Sequence, residues 1–423
     1  MAGSIADSSY FVERSNFMSW VVCLSAGLFF MYEFFQLNIF DVINQPLRET
    51  FHINATQLSW MSSMYLWADI LFLLPAGLIL DRFSTRSVIL TALLVCVLGT
   101  MGFASTSNFV LASFFHFLSG IGNAFCFLSC VVLVSRWFPP KRQALVIGSV
   151  VTMAFIGGML AHTPFAYLYE LYGWRYALFI DAFVGAVLLV WIYFVVKDTP
   201  TNLSSQYRRN QNKAWFKNAL SNPQNWLAGC YTSFLNLPIM VLCALWGASY
   251  LQVVHHLSSM QASNVVSLIF VGSIIGCPVI GWLSDAQGKR KPIMIAGAIA
   301  TLLTVIPLFM NMPLTQFSLS IIFFGLGFFT STQVISYPLI AESNLSNNTG
   351  SATGIASVII MGGGGVGQIL FGWFMAKHAG MTIAKYSISD FQFAMWMFPV
   401  AAVAALIAVY LTKETYCKRL VEE

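Results

Sequence analysis

Long apolar runs of about 20 residues, parted by short polar turns, alternate along almost the whole chain. A bilayer core about 30 Å thick is crossed by about 20 helical residues. Twelve stretches meet that length: 18–43, 57–80, 87–105, 109–135, 143–167, 175–196, 226–250, 260–283, 292–310, 314–340, 351–376 and 391–412. One interruption is long and polar, 197–225, with Arg208, Arg209, Lys213 and Lys217, and it falls between the sixth and seventh spans. The pattern predicts an all-α membrane protein of twelve transmembrane helices. Its expected parts are a tail at 1–17, a six-helix bundle at 18–196, a linker at 197–225, a second six-helix bundle at 226–412 and a tail at 413–423.

One turn appears twice. Gly77-Leu-Ile-Leu-Asp81-Arg82-Phe-Ser-Thr-Arg86 follows the second span, and Gly281-Trp-Leu-Ser-Asp285-Ala-Gln-Gly288-Lys289-Arg290-Lys291 follows the eighth. The two Asp residues lie 204 positions apart in a chain of 423. A Gly/Asp/basic turn repeated at half-length points to a transporter of two similar halves.

Composition narrows the class further. Charged residues make up 9% and hydrophobic residues 58%, against about 25% charged in a soluble domain, so the expected solvent is lipid. Of the 21 Lys and Arg, only Arg175 touches an apolar run, as its first residue, and the net charge of +5 calls for no nucleic-acid partner. With the N-terminus on the cytoplasmic side, seventeen of these 21 are cytoplasmic; Arg48, Arg175, Lys377 and Lys385 are not. That asymmetry predicts cytoplasmic termini and linker, in a bacterial inner membrane. The polar start leads straight into a full-length span, so no signal peptide is expected. Cys126 and Cys130 stand four apart without Asp, Glu or His nearby and read as packing, so no metal and no cofactor are expected.

Twelve spans in a six-plus-six arrangement, with this turn after spans two and eight, resemble the major facilitator superfamily over nearly the whole chain. The family turn has the form G-x-x-x-D-[RK]-x-G-[RK]-[RK]. The first copy departs at Ser84 and Thr85, the second at Ala286. Arg136-Trp-Phe-Pro-Pro-Lys-Arg142, Gly173-Trp-Arg175 and Asp198-Thr-Pro200 are further family-like strings. The resemblance implies a monomer that rocks two bundles about a midplane site. It implies a cytoplasmic gate clasp at Gly77, Asp81, Arg82, Arg86, Gly281, Asp285, Gly288, Lys289 and Arg290. In that clasp Gly77 would let helices approach closely, and Asp81 would meet a helix N-terminus and a basic side chain.

Ionisable groups inside a span are costly and functional. Glu33 lies about 24 Å into its helix and Asp69 about 18 Å from the turn, both within the hydrocarbon core. Tyr32, Glu33 and Gln36 share one face of span one. In the family, spans one, four, seven and ten line the cavity, which places Glu33 there. Family members often carry R-x-x-x-G-x-G in span four; here His116-Phe-Leu-Ser-Gly120-Ile-Gly122 puts a titratable ring in place of the fixed cation. Glu33, Asp69 and His116 are therefore the expected proton-coupling or substrate groups, whereas Asp41 and Asp181, near span ends, are expected at the interface.

Beyond Arg175 at the very start of span six, no Lys or Arg lies inside a span, so the cavity lacks the fixed cations that phosphates or polycarboxylates need. It offers Tyr32, Gln36 and Tyr65 in the first half. In the second it offers Asn236, Trp246 and Tyr250 of span seven, and Thr330, Thr332, Gln333 and Tyr337 of span ten. Such a lining suits an amino acid, small peptide, nucleoside or similar solute. The exporter string G-P-x-x-G-G is incomplete, since Met153 and Ala154 precede Gly157-Gly158, which favours uptake. No G-x-x-x-x-G-K-[ST] is present, so protons rather than ATP are the expected energy source. The rivals are a proton-antiport exporter of drugs or metabolites and a non-transporting membrane receptor or sensor. An enzyme is not expected, for neither H-E-x-x-H nor G-x-S-x-G occurs.

Overall fold

A computed structural model describes residues 16–198, 219–310, 312–344, 349–379 and 386–418. Arg14, most of the linker with Arg208, Arg209, Lys213 and Lys217, and Lys385 and Arg419 lie outside the described residues, as does the side chain of Asp81.

Twelve spans follow in chain order, and no strand occurs among the described residues. They are α1 Asn16–Val42, α2 Ala55–Arg82, α3 Thr85–Ser105, α4 Phe109–Trp137, α5 Pro140–Leu160 with its continuation Thr163–Tyr172, and α6 Trp174–Val195. The second set is α7 Pro223–His255, α8 Ser259–Gln287, α9 Lys291–Phe309, α10 Gln316–Glu342, α11 Thr349–His378 and α12 Ile388–Leu411. Eleven are long and apolar enough to cross a bilayer. The other, α2, runs 28 residues, above the length a crossing needs. A short helix, Asn44–Phe51, follows α1.

Polar residues start the helices where the apolar pattern breaks. Asn54, Ser258 and Ser387 each cap the following helix in a reciprocal box, with Gln57, Gln261 and Asp390. Ser84, Asn108 and Thr315 cap α3, α4 and α10. Each cap satisfies an amide that lipid could not.

The two bundles meet along three helix pairs: α1 on α7, α2 on α11, and α5 on α8. Without a hydrophobic drive between helices in lipid, close packing has to supply the attraction. Gly362 and Gly365 of α11 supply it against Ile70, Leu66 and Trp67 of α2, while Gly363 and Gly364 pack α11 within its own bundle against Ser233 and Met240 of α7.

One end of the molecule is sealed. The Trp246 indole N–H donates to Ser59 Oγ at 3.2 Å, the Asn44 amide to the Leu245 carbonyl at 2.6 Å, and Thr163 Oγ1 to Asn264 Oδ1 at 2.6 Å. The Ala55 N–H donates to the Tyr386 hydroxyl at 2.5 Å, and the Arg48 guanidinium stacks 4.7 Å over the Tyr386 ring.

At the other end lie the repeated turns, each tied within its own half by the same construction. Arg86 donates to the Tyr193 carbonyl and stacks on the Tyr193 ring, while Asp198 accepts from Ser84 Oγ and from the Arg86 N–H at 2.8 Å. Lys291 donates to the Tyr410 carbonyl and stacks on Tyr410, while Glu414 accepts from the Arg290 and Lys291 N–H groups, both at 2.9 Å. Arg290 adds ion pairs to Asp285 and Glu342 at 2.6 and 2.7 Å. Arg82 and Lys289 are exposed.

The departure of the first turn from the family pattern has a backbone cause. Gly288 closes α8 with φ +62°, a left-handed cap that favours glycine. Ser84 has φ −59° and caps α3 with its hydroxyl instead. The expected close approach at Gly77 is not found: among the described residues, a Cβ there, or on Gly148, Gly281 or Gly354, would meet no atom within 4 Å. Small residues at the turn end thus face open space while the opposite end is shut.

Burial works against an ionised Glu414, but the N–H groups of Arg290, Tyr416, Lys291 and Thr415 outweigh it and hold its pKa below the ordinary carboxylate value. The stability this contributes is present above the unfolded pKa and lost as pH falls through the folded one. Glu414→Gln is expected to cost about 1 kcal/mol of local stability. Hydrogen exchange should show the amides of 290–294 opening several-fold faster at neutral pH, with the difference closing in acid.

Candidate functional site

Buried polar groups concentrate in the first half, on the facing sides of α1, α2, α4 and α6. Glu33, in mid-α1, is wholly buried. Its Oε2 lies 2.7 Å from the Tyr65 hydroxyl of α2, which also reaches the Glu33 carbonyl at 2.8 Å. Gly122 of α4 admits this carboxyl, since a Cβ there would overlap it. Glu33 Oε1 has no nitrogen or oxygen donor, and the remaining polar neighbour is the Cys96 thiol, a weak donor.

Asp69 of α2 accepts from the Asn123 amide of α4 at 2.9 Å, and its Oδ1 is buried with no partner. Asp181 of α6 accepts from the Gln36 amide of α1 at 2.5 Å, and the Tyr32 hydroxyl lies 3.4 Å from the Asp181 carbonyl. Three buried carboxyls are thus held by neutral side chains alone. His116 of α4 stacks on Phe40 at 4.1 Å, with Tyr65 and Phe103 at 5.5 and 5.8 Å.

The single polar stripe expected on span one is therefore divided. Glu33 turns toward α2 and α4, whereas Tyr32 and Gln36 turn toward α6. Asp41 and Asp181, expected near the ends of their spans, are 1% and 6% exposed, so both side chains are enclosed by protein. Asn123 also went unrecognised, though it follows Gly122 in the glycine string of span four.

The second half contributes a different surface. Tyr231 of α7 donates to the Met294 carbonyl at 2.8 Å and lies 2.9 Å from Thr332 Oγ1, which ties Thr332 between α7, α9 and α10. Thr330 is buried against the Leu326 carbonyl. Trp246 belongs to the sealed end, and Tyr250 donates to the Leu308 carbonyl at 2.8 Å. Asn236 is buried, Gln333 half-buried and Tyr337 39% exposed. Gln333 lies in one of the two irregular stretches of the half, and Asn236 and Tyr337 stand just outside them. Residues Pro238–Trp246 of α7 form a π-helix, and Ser331–Ile335 of α10 a 3₁₀ turn. Such irregularities concentrate at functional sites.

The π-helix has a direct chemical effect. It puts the backbone ladder out of step, and side chains take up backbone groups along it. Gln368 donates to the Met240 carbonyl at 2.8 Å, Asn44 to the Leu245 carbonyl, and the Ala248 N–H donates to both oxygens of Asp41 at 2.9 and 3.0 Å. No sequence signal short of Pro238 marked this segment.

Neither outer arginine reaches the interior. Arg48 is stacked on Tyr386, and Arg175 donates to the Ala104 and Thr106 carbonyls and to Ser107. Among the described residues, no Lys or Arg side chain stands between the two ends of the bundles.

A family model described as the Major Facilitator Superfamily matches residues 22–368 and 246–419. The chain is 20% identical over 410 residues to a "Probable hexose phosphate transport protein" of Chlamydia pneumoniae, covering 89% of this chain and 86% of that one. It is 25% identical over 334 residues to the "Membrane sensor protein UhpC" of Escherichia coli strain K12, covering 71% and 72%. Among solved structures, a bacterial homolog to the human lysosomal transporter Spinster, inward-facing and unoccupied, superposes with a TM-score of 0.77 at 16% identity, over 94% of this chain and 98% of that one. That likeness concerns the fold alone. With twelve spans in two bundles and a family match over most of its length, the chain belongs to the Major Facilitator Superfamily of membrane transporters.

Proposed function

We propose that the protein is a proton-coupled importer of a small polar organic solute that is neutral, zwitterionic or cationic, such as an amino acid, small peptide or nucleoside. One observation carries this reading: Glu33, Asp69 and Asp181 are buried together with neutral donors and no fixed cation. An isolated charge in this setting is costly. Each carboxyl is therefore held as an acid or answered by a cation that arrives with the substrate. Glu33 and Asp69 each leave one carboxyl oxygen without a nitrogen or oxygen donor on a helix that contacts both halves, and Glu33 is the coupling group in this reading because its helix, α1, is one of the spans that line the cavity in the family. Asp69 and His116 are its auxiliaries, and Asn236, Gln333 and Tyr337 face the solute from the second half.

The loop charges support a bacterial inner membrane with cytoplasmic termini. The sealed end then faces outward and the turns inward. Alternating access would unzip the sealed contacts and draw Gly77 and Gly281 toward their neighbours, which gives the repeated turns their gate role.

Relatives named for hexose phosphate set a sharp contrast. A phosphorylated sugar entering this interior meets carboxyls where a binding site for it needs Arg or Lys. A second reading, a sensor without transport, draws on the likeness to UhpC. Counterflow of labelled solute in proteoliposomes separates the two, because a sensor gives none.

Glu33→Gln should abolish accumulation driven by a pH gradient while leaving substrate exchange measurable. Accumulation at the wild-type ratio would remove Glu33 from coupling. A panel of solutes matched in size and differing in charge should compete in the order cation, zwitterion and neutral ahead of anion. Unscreened like-charge contact in the interior costs an anion several kcal/mol. Best competition by sugar phosphates or di- and tricarboxylates would refute the assignment of substrate charge.

A further inference from the structure

His162 occupies the break in α5, between Leu160 and Thr163, and is wholly buried at the sealed end. Its Nδ1 lies 2.8 Å from the Gly158 carbonyl and its Nε2 3.1 Å from the Cys243 carbonyl of α7. A carbonyl oxygen only accepts. A neutral imidazole donates from one nitrogen and presents a lone pair at the other. With both nitrogens facing carbonyls, a neutral ring sets that lone pair against an oxygen, whereas an imidazolium satisfies both. The counter-charge is in place, for Asp41 Oδ2 of α1 stands 3.5 Å from Nε2, with both groups fully buried. Nε2 is nearer the carbonyl than the carboxylate, so the proton belongs on the ring. Asp41 in turn accepts twice from the Ala248 N–H, across the junction between the bundles.

We propose that His162 and Asp41 form a second proton-binding site, loaded as this end of the molecule closes and emptied as it opens. Closure brings the Cys243 carbonyl and the Ala248 N–H of the second half onto a pair carried by the first. His162 takes one proton from water to become the donor that Cys243 requires, and Asp41 remains the anion that Ala248 and the ring require. Opening withdraws the carbonyl, and the Nε2 proton returns to water on the same side.

The groups facing the ring are few. α1 brings Asp41, α7 brings Cys243, and α8 brings the Phe270 ring at 5.6 Å, with Asn264 held by Thr163. α6, packed on the continuation of α5, brings Arg175 and Asp181, engaged by the Ala104 and Thr106 carbonyls and by Gln36. Glu170 lies on that continuation itself. The pair is separate from Glu33, Asp69 and His116. It draws on the transporter reading only for the opening of this end, so loss of coupling in Glu33→Gln neither supports nor harms it.

The test uses the full-length protein in lipid nanodiscs with ¹⁵N-labelled histidine. At about pH 8, both His162 nitrogens should give imidazolium signals, as the two facing carbonyls require, assigned by their absence in His162→Gln. A neutral ring at that pH overturns the proposal. Cys243 reports the latch, because a membrane-impermeant maleimide reaches it only when this end opens. Labelling mapped by mass spectrometry should be several-fold faster in His162→Gln than in wild type at one pH, and equal rates overturn the latch. If His162→Gln does not fold, Asp41→Asn serves for both readouts. It should abolish the imidazolium signal and speed the labelling, and a signal that it leaves unmoved overturns the pairing.

Discussion

A carboxyl group inside a low-dielectric bundle has to be answered from within the protein, and this molecule answers without lysine or arginine. Three of its buried acids, Glu33, Asp69 and Asp181, lean on Tyr65, Asn123 and Gln36, and a fourth, Asp41, on His162 and a backbone N–H. Neutral donors hold a carboxyl in place without fixing its charge. A permanent Arg–carboxylate pair would fix that charge. Placing the charged clamps at the turn end, around Asp198 and Glu414, keeps fixed charge where water can screen it.

The repeat is visible in these clamps more clearly than in the residues of the turns. Arg86 and Lys291 grip Tyr193 and Tyr410 in the same way, and Asp198 and Glu414 cap the helices that follow the turns. The two halves preserve the construction and change its parts. That is why Ser84 can stand where the second copy has Gly288: the first corner turns without a left-handed residue.

The sequence made the spans legible, because membrane thickness fixes their length and charges are excluded from them. Depth along a helix singled out Glu33 and Asp69 but did not reveal the burial of Asp41 and Asp181, since position along a span does not show which neighbour extends beside its end. Direction was harder still. A shared face at Tyr32, Glu33 and Gln36 does not distinguish a lumen from two different protein neighbours. The expected approach at Gly77 depends on conformation, which a sequence does not carry. His162 lay within a run that reads as uninterrupted helix, and its importance arises from a break at Ala161 and a π-helix 80 residues away. Both are tertiary facts.

The sealed end reads backbone more than side chains. Asp41, Asn44 and His162 all bond to main-chain atoms of Ala248, Leu245 and Cys243. Every amino acid but proline carries the same amide and carbonyl, so these contacts address an axial position in α7 rather than a residue type. A substitution in that stretch leaves these main-chain partners in place and disturbs closure only through packing and through the Trp246–Ser59 bond. An insertion is different in kind: one added residue would rotate every addressed atom away at once, so the length of the chain there is itself part of the seal.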